Sequence, residues 1–218
     1  MNSVRMLLVA CFLCLATCAA LGQPRHVTVQ QRALSPDKLI SLGDFYSRNN
    51  DVTDLADSYY NQAIKNAAPD SPVSGKAQYN RANYWFSKFY VLKEQFSRED
   101  HSALSAAEGQ YYNFISNFAK QTNTVSLLSD AEFYLALVYL QQGKRDYAVG
   151  WLNRMMAEAV KADDTVYVYR VVWSSKSNDI IDRKVDAGQL AEYARHVIDK
   201  GSDVNTVIVE IKRWCQRQ

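Results

Sequence analysis

Apolar residues recur with a helical period along most of this chain, most clearly between Asp130 and Leu140. The apolar positions at i, i+3, i+4, i+7 and i+8 of that segment are Ala131, Tyr134, Leu135, Val138 and Tyr139, which places them on one helix face. Gly143 is expected to end this helix, and a second helix is expected to run on from Asp146. The pattern therefore predicts two antiparallel helices joined by a tight turn.

The C-terminal third predicts further helices. Asp186 to Lys200 has one apolar face and is followed by Gly201, and Asn205 to Gln218 forms a last amphipathic helix. The composition of Val166 to Trp173 is typical of a strand. We nevertheless predict a helix there, because a lone strand would have no partner in the chain, and we predict a loop over Ser174 to Asp179.

Three segments share one spacing of small and large residues. The first reads Leu39-x-x-Leu42-Gly43-x-x-Tyr46, followed by Ala56-x-x-x-Tyr60, Ala63 and Pro69. The second reads Arg81-Ala82-x-x-Trp85, followed by Ala107-x-x-x-Tyr111 and Phe114. The third reads Leu135-Ala136-x-x-Tyr139, followed by Gly143, Ala148-x-x-x-Leu152 and Met155. Small residues at these positions would let paired helices approach closely, and large ones would fill the space between pairs.

This spacing resembles the tetratricopeptide repeat family over about residues 36–160. The resemblance implies an all-α fold, in which antiparallel helix pairs stack into a short right-handed solenoid. Two features depart from the family pattern: Glu132 occupies a position for a large residue, and Lys93 to Asp100 lengthen the second turn. An irregular helical bundle is the alternative arrangement.

The resemblance also implies a binding groove, since first helices of the family's pairs line a concave surface that contacts partner peptides. The positions carried over are Asp44 and Ser47 in the first pair, Lys76, Tyr79, Asn83 and Phe86 in the second, and Phe133, Leu137 and Gln141 in the third. The aromatic and aliphatic members would make the groove partly apolar and suited to a helix or an extended peptide. The alternative is that most of these aromatic residues are core.

The first 22 residues are predicted to be a signal peptide. Arg5 precedes an apolar run from Met6 to Leu15, and Ala20-Leu21-Gly22 fits a small-x-small cleavage site. An uncleaved membrane anchor and lipidation of Cys18 are the alternatives. Residues 23–36 form a polar lead-in, residues 37–162 carry about three helix pairs, and residues 163–218 form a helical extension that caps the repeats.

The charge balance and the absence of catalytic motifs argue against nucleic-acid binding and against catalysis. Removal of Arg5 with the leader leaves 24 basic residues, from a total of 25, against 23 acidic ones, so no basic field favours nucleic acid. The three His residues have no metal-ligand spacing, and no phosphate loop or nucleophile motif occurs. Cys215 is the only cysteine after the leader and is expected to be a partly buried small hydrophobe rather than a reactive thiol. We expect neither catalysis nor a metal or cofactor.

We therefore expect a non-enzymatic exported adaptor or scaffold that mediates protein–protein interaction in an envelope-associated assembly. Its partner would be another exported or membrane protein. The absence of an Asn-x-Ser/Thr sequon favours the bacterial periplasm, and anchoring to the membrane by the N-terminus is the alternative location. The alternative function is a permanent architectural subunit of a larger complex that has no exchangeable ligand.

Export makes the first testable prediction. N-terminal sequencing of protein isolated from its native cells is expected to begin at or near Gln23, because the small residues before it form the cleavage site. Recovery of membrane-bound protein that still begins at Met1 would contradict cleavage. A lipid on Cys18 would instead identify a lipoprotein.

Overall fold

The computed structural model describes residues 34–118, 125–162, 165–168 and 183–217. Within these ranges the chain is mostly helical, with eight helices and one short β hairpin. The helices are α1 (Pro36–Arg48), α2 (Leu55–Asn66), α3 (Pro72–Phe96), α4 (His101–Phe118), α5 (Val125–Gln141), α6 (Arg145–Ala162), α7 (Ala187–Asp199) and α8 (Val204–Arg217). The strands are β1 (Thr165–Val168) and β2 (Arg183–Asp186). The prediction of a predominantly helical chain is confirmed.

Local sequence explains where the helices begin and end. Ser35 caps α1, its side chain accepting a hydrogen bond from the Lys38 backbone N–H, and a proline occupies the first turn. Ser71 caps α3 in the same way. Gly143 and Gly201 have φ angles of +74° and +76°, a conformation that favours glycine. Both glycines follow a helix, as the sequence predicted.

Neighbouring helices in the sequence pack against each other from α1 to α8, and α1 also contacts α3, as α3 contacts α5. The alanines predicted at the points of closest approach are all fully buried: Ala56, Ala82, Ala107, Ala136 and Ala148. A Cβ atom on Gly43 would lie 2.5 Å from a ring carbon of Tyr60. Helices α1 and α2 therefore meet at a distance that only glycine permits.

Helix α5 differs from the other helices because it is buried on every side. Each residue from Leu128 to Leu140 is buried, and the helix contacts α3, α4, α6 and β1. Its sequence is apolar around nearly its whole circumference, which is the composition of a central helix. The core of the protein is built around α5.

The C-terminal region corrects one prediction. Val166 to Val168, expected to be helical, belong to strand β1, which pairs with β2 in an antiparallel register that sets Val166 opposite Val185. The partner strand Arg183–Asp186 has a polar sequence and lacks the composition of a strand, so the pattern gave no sign of it. Residues 169–173 of the predicted helix lie outside the described residues.

Of the remaining predictions, only some fall on the described residues. Helix α3 continues to Phe96. The turn expected over Lys93 to Asp100 therefore covers only residues 97–100. The leader, with Cys18, and the loop from Ser174 to Asp179 lie outside the described residues. None of the described helices combines the length and the apolar character that crossing a membrane requires.

The approach of α1 to α2 makes a prediction about stability. Substitution Gly43→Ala is expected to lower the free energy of unfolding by about 1–3 kcal/mol, because the added methyl group overlaps the Tyr60 ring. The matched control is Gly109→Ala, where a Cβ meets no atom within 4 Å. That change should raise stability by about 0.5–1 kcal/mol through helix propensity. Urea unfolding that gives both variants the same stability would contradict the packing at Gly43.

Candidate protein interaction surface

The structure places four of the predicted groove residues in the core. Tyr79, Phe86, Phe133 and Leu137 each expose 2% or less of their surface, so they form no surface open to a partner. The expectation of a groove at these positions is thereby corrected. The physical reason is the burial of α5: its neighbours α3, α4, α6 and β1 enclose the helix that was to line the concave side.

The polar residues of the predicted groove differ in their exposure and in their hydrogen-bond partners. Lys76 is exposed. Asn83 is half-buried and accepts a hydrogen bond from the Tyr111 hydroxyl at 2.5 Å. Gln141 donates from Nε2 to the Tyr90 hydroxyl at 2.6 Å. Asp44, in the first pair, accepts from the Tyr60 hydroxyl at 2.8 Å. Ser47, the fifth polar position, is half-buried. Three of the five polar residues, Asp44, Asn83 and Gln141, therefore hydrogen-bond to tyrosine hydroxyls inside the fold.

A cluster of buried tyrosines surrounds the carboxylate of Asp130. The Tyr79 hydroxyl lies 3.3 Å from Asp130 Oδ2, to which it donates. Tyr111 stacks on Tyr134 with ring centroids 6.2 Å apart. Burial, with the nearby Asp130 charge, raises the pKa of Tyr79 well above its usual value. The phenol therefore remains protonated and acts as a hydrogen-bond donor that fixes the packing of α3 on α5.

Ionic contacts join α2 to α3. Arg81 contacts both carboxylate oxygens of Asp57, at 2.7 and 3.0 Å, and the Trp85 indole N–H donates to the same carboxylate at 2.6 Å. Asp54, which precedes α2, pairs with the buried Lys88. The bidentate geometry gives these contacts more directional strength than a single surface ion pair has. They hold the second helix pair against the first.

An open depression lies on the outer side of α6. Its volume is about 400 Å³, and it is lined by Asp146, Tyr147, Gly150, Trp151 and Arg154. A Cβ atom on Gly150 would meet no other atom within 4 Å, so the glycine leaves the floor of the depression uncovered. Four of these residues, Tyr147, Gly150, Trp151 and Arg154, are spaced i, i+3, i+4 and i+7. Four residues at this spacing form a hole that can receive a side chain of a partner helix.

Helix α4 extends this surface. The exposed ring of Tyr112 packs edge-to-face on Trp151, with ring centroids 6.4 Å apart. Tyr112 and Tyr147 are 54% and 64% exposed. Gly109, one turn before Tyr112, is also exposed and free of contacts at its Cβ position. We name this surface the α4–α6 face, formed by Gly109, Tyr112, Asp146, Tyr147, Gly150, Trp151 and Arg154.

The glycines of this face need an explanation that the fold does not supply. Gly43 and Gly75 lie where an added Cβ would press on an aromatic ring, Tyr60 and Phe118 respectively. Gly109 and Gly150 lie inside exposed helices with open space around them. Each costs about 0.5–1 kcal/mol of helix stability compared with alanine. A close approach by another molecule would account for them.

The charged residues of the face are connected to the core. Arg154 Nε lies 2.9 Å from Glu132 Oε1 and 3.0 Å from Glu158 Oε1, and the guanidinium lies 5.1 Å from the centre of the Trp151 ring. Glu132 is fully buried, whereas 40% of the Arg154 side chain is exposed. A buried carboxylate needs a cation, so Glu132 fixes where Arg154 emerges. Within the described residues, no cation pairs with Asp146.

Sequence reasoning missed this face because Trp151 falls on the same helical stripe as the buried Ala148, Leu152 and Met155, which is the pattern of a core position. Two signals were present in the sequence. Gly150 interrupts a helical pattern without ending it, and the same applies to Gly109. Glu132 also stood out as a departure from the repeat pattern, and the structure explains it as the buried partner of Arg154.

Other chemistry is not evident in the described part of the chain. It contains no group of three or more His, Cys, Asp or Glu residues that could hold a metal ion. Cys215 is fully buried, and burial raises the pKa of its thiol to about 12. Cys215 is therefore buried more completely than the partly buried small hydrophobe that was expected. The chain matches no protein-family model, no curated protein and no solved structure.

Proposed function

We propose that this protein is a non-enzymatic exported adaptor or scaffold, built from tetratricopeptide-like helix pairs, that binds another protein through the α4–α6 face. The observation that carries the proposal is the pairing of exposed aromatic rings with two exposed helix glycines. Tyrosine and tryptophan are enriched at the energetic centres of protein interfaces. Glycine beside them lets a partner backbone approach closely.

The packing order of the helices supports the stacked-pair arrangement. Each helix contacts its successor, and the first helix of each pair contacts the first helix of the next: α1 contacts α3, and α3 contacts α5. The edge-to-face contact of Tyr112 with Trp151 joins the second helices of two successive pairs. This is the contact pattern of a solenoid whose pairs interact with their neighbours. The face therefore spans two repeats.

The distribution of exposed apolar side chains favours an adaptor over a permanent subunit. The other large exposed apolar residues described are Leu34, Phe45, Leu55, Phe96 and Val209. They are spread from the segment before α1 to α8, whereas a permanent subunit needs large continuous apolar surfaces. The aromatic rings of the α4–α6 face instead alternate with charged residues, as in interfaces that exchange partners.

The predicted leader supports export of the chain, and the absence of an Asn-x-Ser/Thr sequon favours the bacterial periplasm. Nothing in the described residues offers a catalytic arrangement that competes with binding. We propose that the partner is another exported or membrane protein of an envelope assembly. Anchoring by a retained leader would instead attach the protein to the membrane.

The decisive test combines two substitutions, Tyr112→Ala and Tyr147→Ala, in the full chain expressed in its native cells. Affinity purification with quantitative mass spectrometry is expected to show at least an approximately tenfold loss of the specific partner, because two interface aromatic residues are removed. The free energy of unfolding of the double variant should stay within about 0.5 kcal/mol of the wild-type value, since both rings are exposed.

The matched control is Phe45→Ala, which removes an aromatic ring that is 60% exposed on α1, far along the sequence from the face. It is expected to retain the partner. Equal loss of the partner with Phe45→Ala, or full retention in the double variant, would contradict the proposed surface.

A further inference from the structure

Two charged residues of α6, one acidic and one basic, lie at equal distances along the helix on either side of Gly150. Asp146 precedes this glycine by four residues and Arg154 follows it by four. Residues four apart lie on one stripe of a helix, about 6 Å apart along its axis. Along this exposed stripe of α6, the acidic Asp146 is followed by the uncovered Gly150 and then by the basic Arg154.

We propose that this stripe pairs with the same stripe of a second copy, so that two α6 helices cross antiparallel at Gly150. The inference rests on the proposed function in one respect: the α4–α6 face must be an interaction surface, and pairing with a second copy and binding of another protein are then competing uses of its α6 residues. A two-fold axis through the crossing sets Asp146 of each copy against Arg154 of the other. Both ion pairs form from a single sequence, which is the condition for a symmetric dimer.

Arg154 of a second copy would provide the cation that Asp146 lacks in the described part of the chain. Asp146 is exposed and pairs with no cation among the described residues. Arg154 makes its closest contacts to Glu132 and Glu158 through Nε, so its terminal nitrogens are the ones that would meet a further carboxylate. A guanidinium held in place by a buried partner loses less conformational freedom when it binds a second carboxylate.

Gly150 permits the approach that these ion pairs need. Helices usually pack with their axes 8–10 Å apart, and the absence of a Cβ at the crossing point allows the shorter end of that range. Tyr147 lies three residues before the glycine and Trp151 one residue after it, so aromatic rings flank the crossing. They would supply the apolar centre that homodimer interfaces have.

The symmetry argues for a second copy rather than an unrelated helix. A foreign helix would have to carry a basic residue, a compact apolar site and an acidic residue in the matching order. This chain already carries that set in the self-complementary order. Helix α6 has 18 residues, a length of about 27 Å, and Tyr112 widens the contact across α4.

The test is sedimentation velocity over a concentration series. The protein is expressed as the full chain and purified after any processing by the cell. Wild type is expected to dimerise. The variants Asp146→Arg and Arg154→Asp place like charges at both contacts, and each alone is expected to weaken the dimer by at least about tenfold. An equimolar mixture of the two is expected to restore association, because every contact in the mixed dimer is again between opposite charges.

The variant Arg154→Asp removes the cation from buried Glu132 and could therefore unfold. A second pair of variants does not depend on it. Gly150→Gln is expected to abolish the dimer while leaving the melting temperature at or above the wild-type value, since open space surrounds the added side chain. Ser58→Gln, at an exposed position of α2 outside the α4–α6 face, is the matched control and should leave the two-fold contact at α6 intact.

A monomeric wild type at the highest soluble concentration would overturn the inference, and so would a dimer that Gly150→Gln does not affect. Neither result would disprove the adaptor, which is tested separately by loss of its partner in the Tyr112→Ala, Tyr147→Ala variant. Conversely, a dimer that Gly150→Gln disrupts would support the pairing even if that variant still bound the partner protein.

Discussion

The structure depends on the burial of α5 on all of its sides. A helix that is apolar around its whole circumference can be stable only where neighbours cover every face. Here the faces of α5 are covered by α3, α4, α6 and β1. The large aromatic residues of α5, Phe133 and Tyr134, therefore lie within the core, and the surface on which a repeat protein of this resemblance would bind a peptide is closed.

The same helix also determines what lies on the outside. Glu132 is a fully buried carboxylate in α5, and its ion pair with Arg154 extends from the core to the exposed surface of α6. A charge that cannot be left unpaired in the interior thus fixes the position of a charge at the surface. The α4–α6 face is in this sense a consequence of the core, and both the adaptor proposal and the proposed pairing at Gly150 use the arginine that it holds.

Much of the fold could be predicted from the sequence, because helix period, capping residues and small contact residues are local signals. The ends at Gly143 and Gly201 and the close approach at Gly43 are examples. The hairpin could not be, since Arg183–Asp186 becomes a strand only by pairing with β1. The binding surface was misplaced for a related reason: a repeat register assigns faces to helices, but it does not show that other parts of the chain cover α5.

The central claim, that α5 is enclosed, can be measured by thiol labelling of the native protein at single positions. Leu137→Cys and Tyr147→Cys would each be introduced with Cys215→Ser, and labelling would be read by peptide mass spectrometry. Leu137 is 1% exposed and Tyr147 is 64% exposed. The account predicts that the thiol at position 147 reacts as fast as in the unfolded chain, while the thiol at position 137 reacts only when the protein unfolds. Rapid labelling at position 137 in a folded protein would contradict it and restore an open groove.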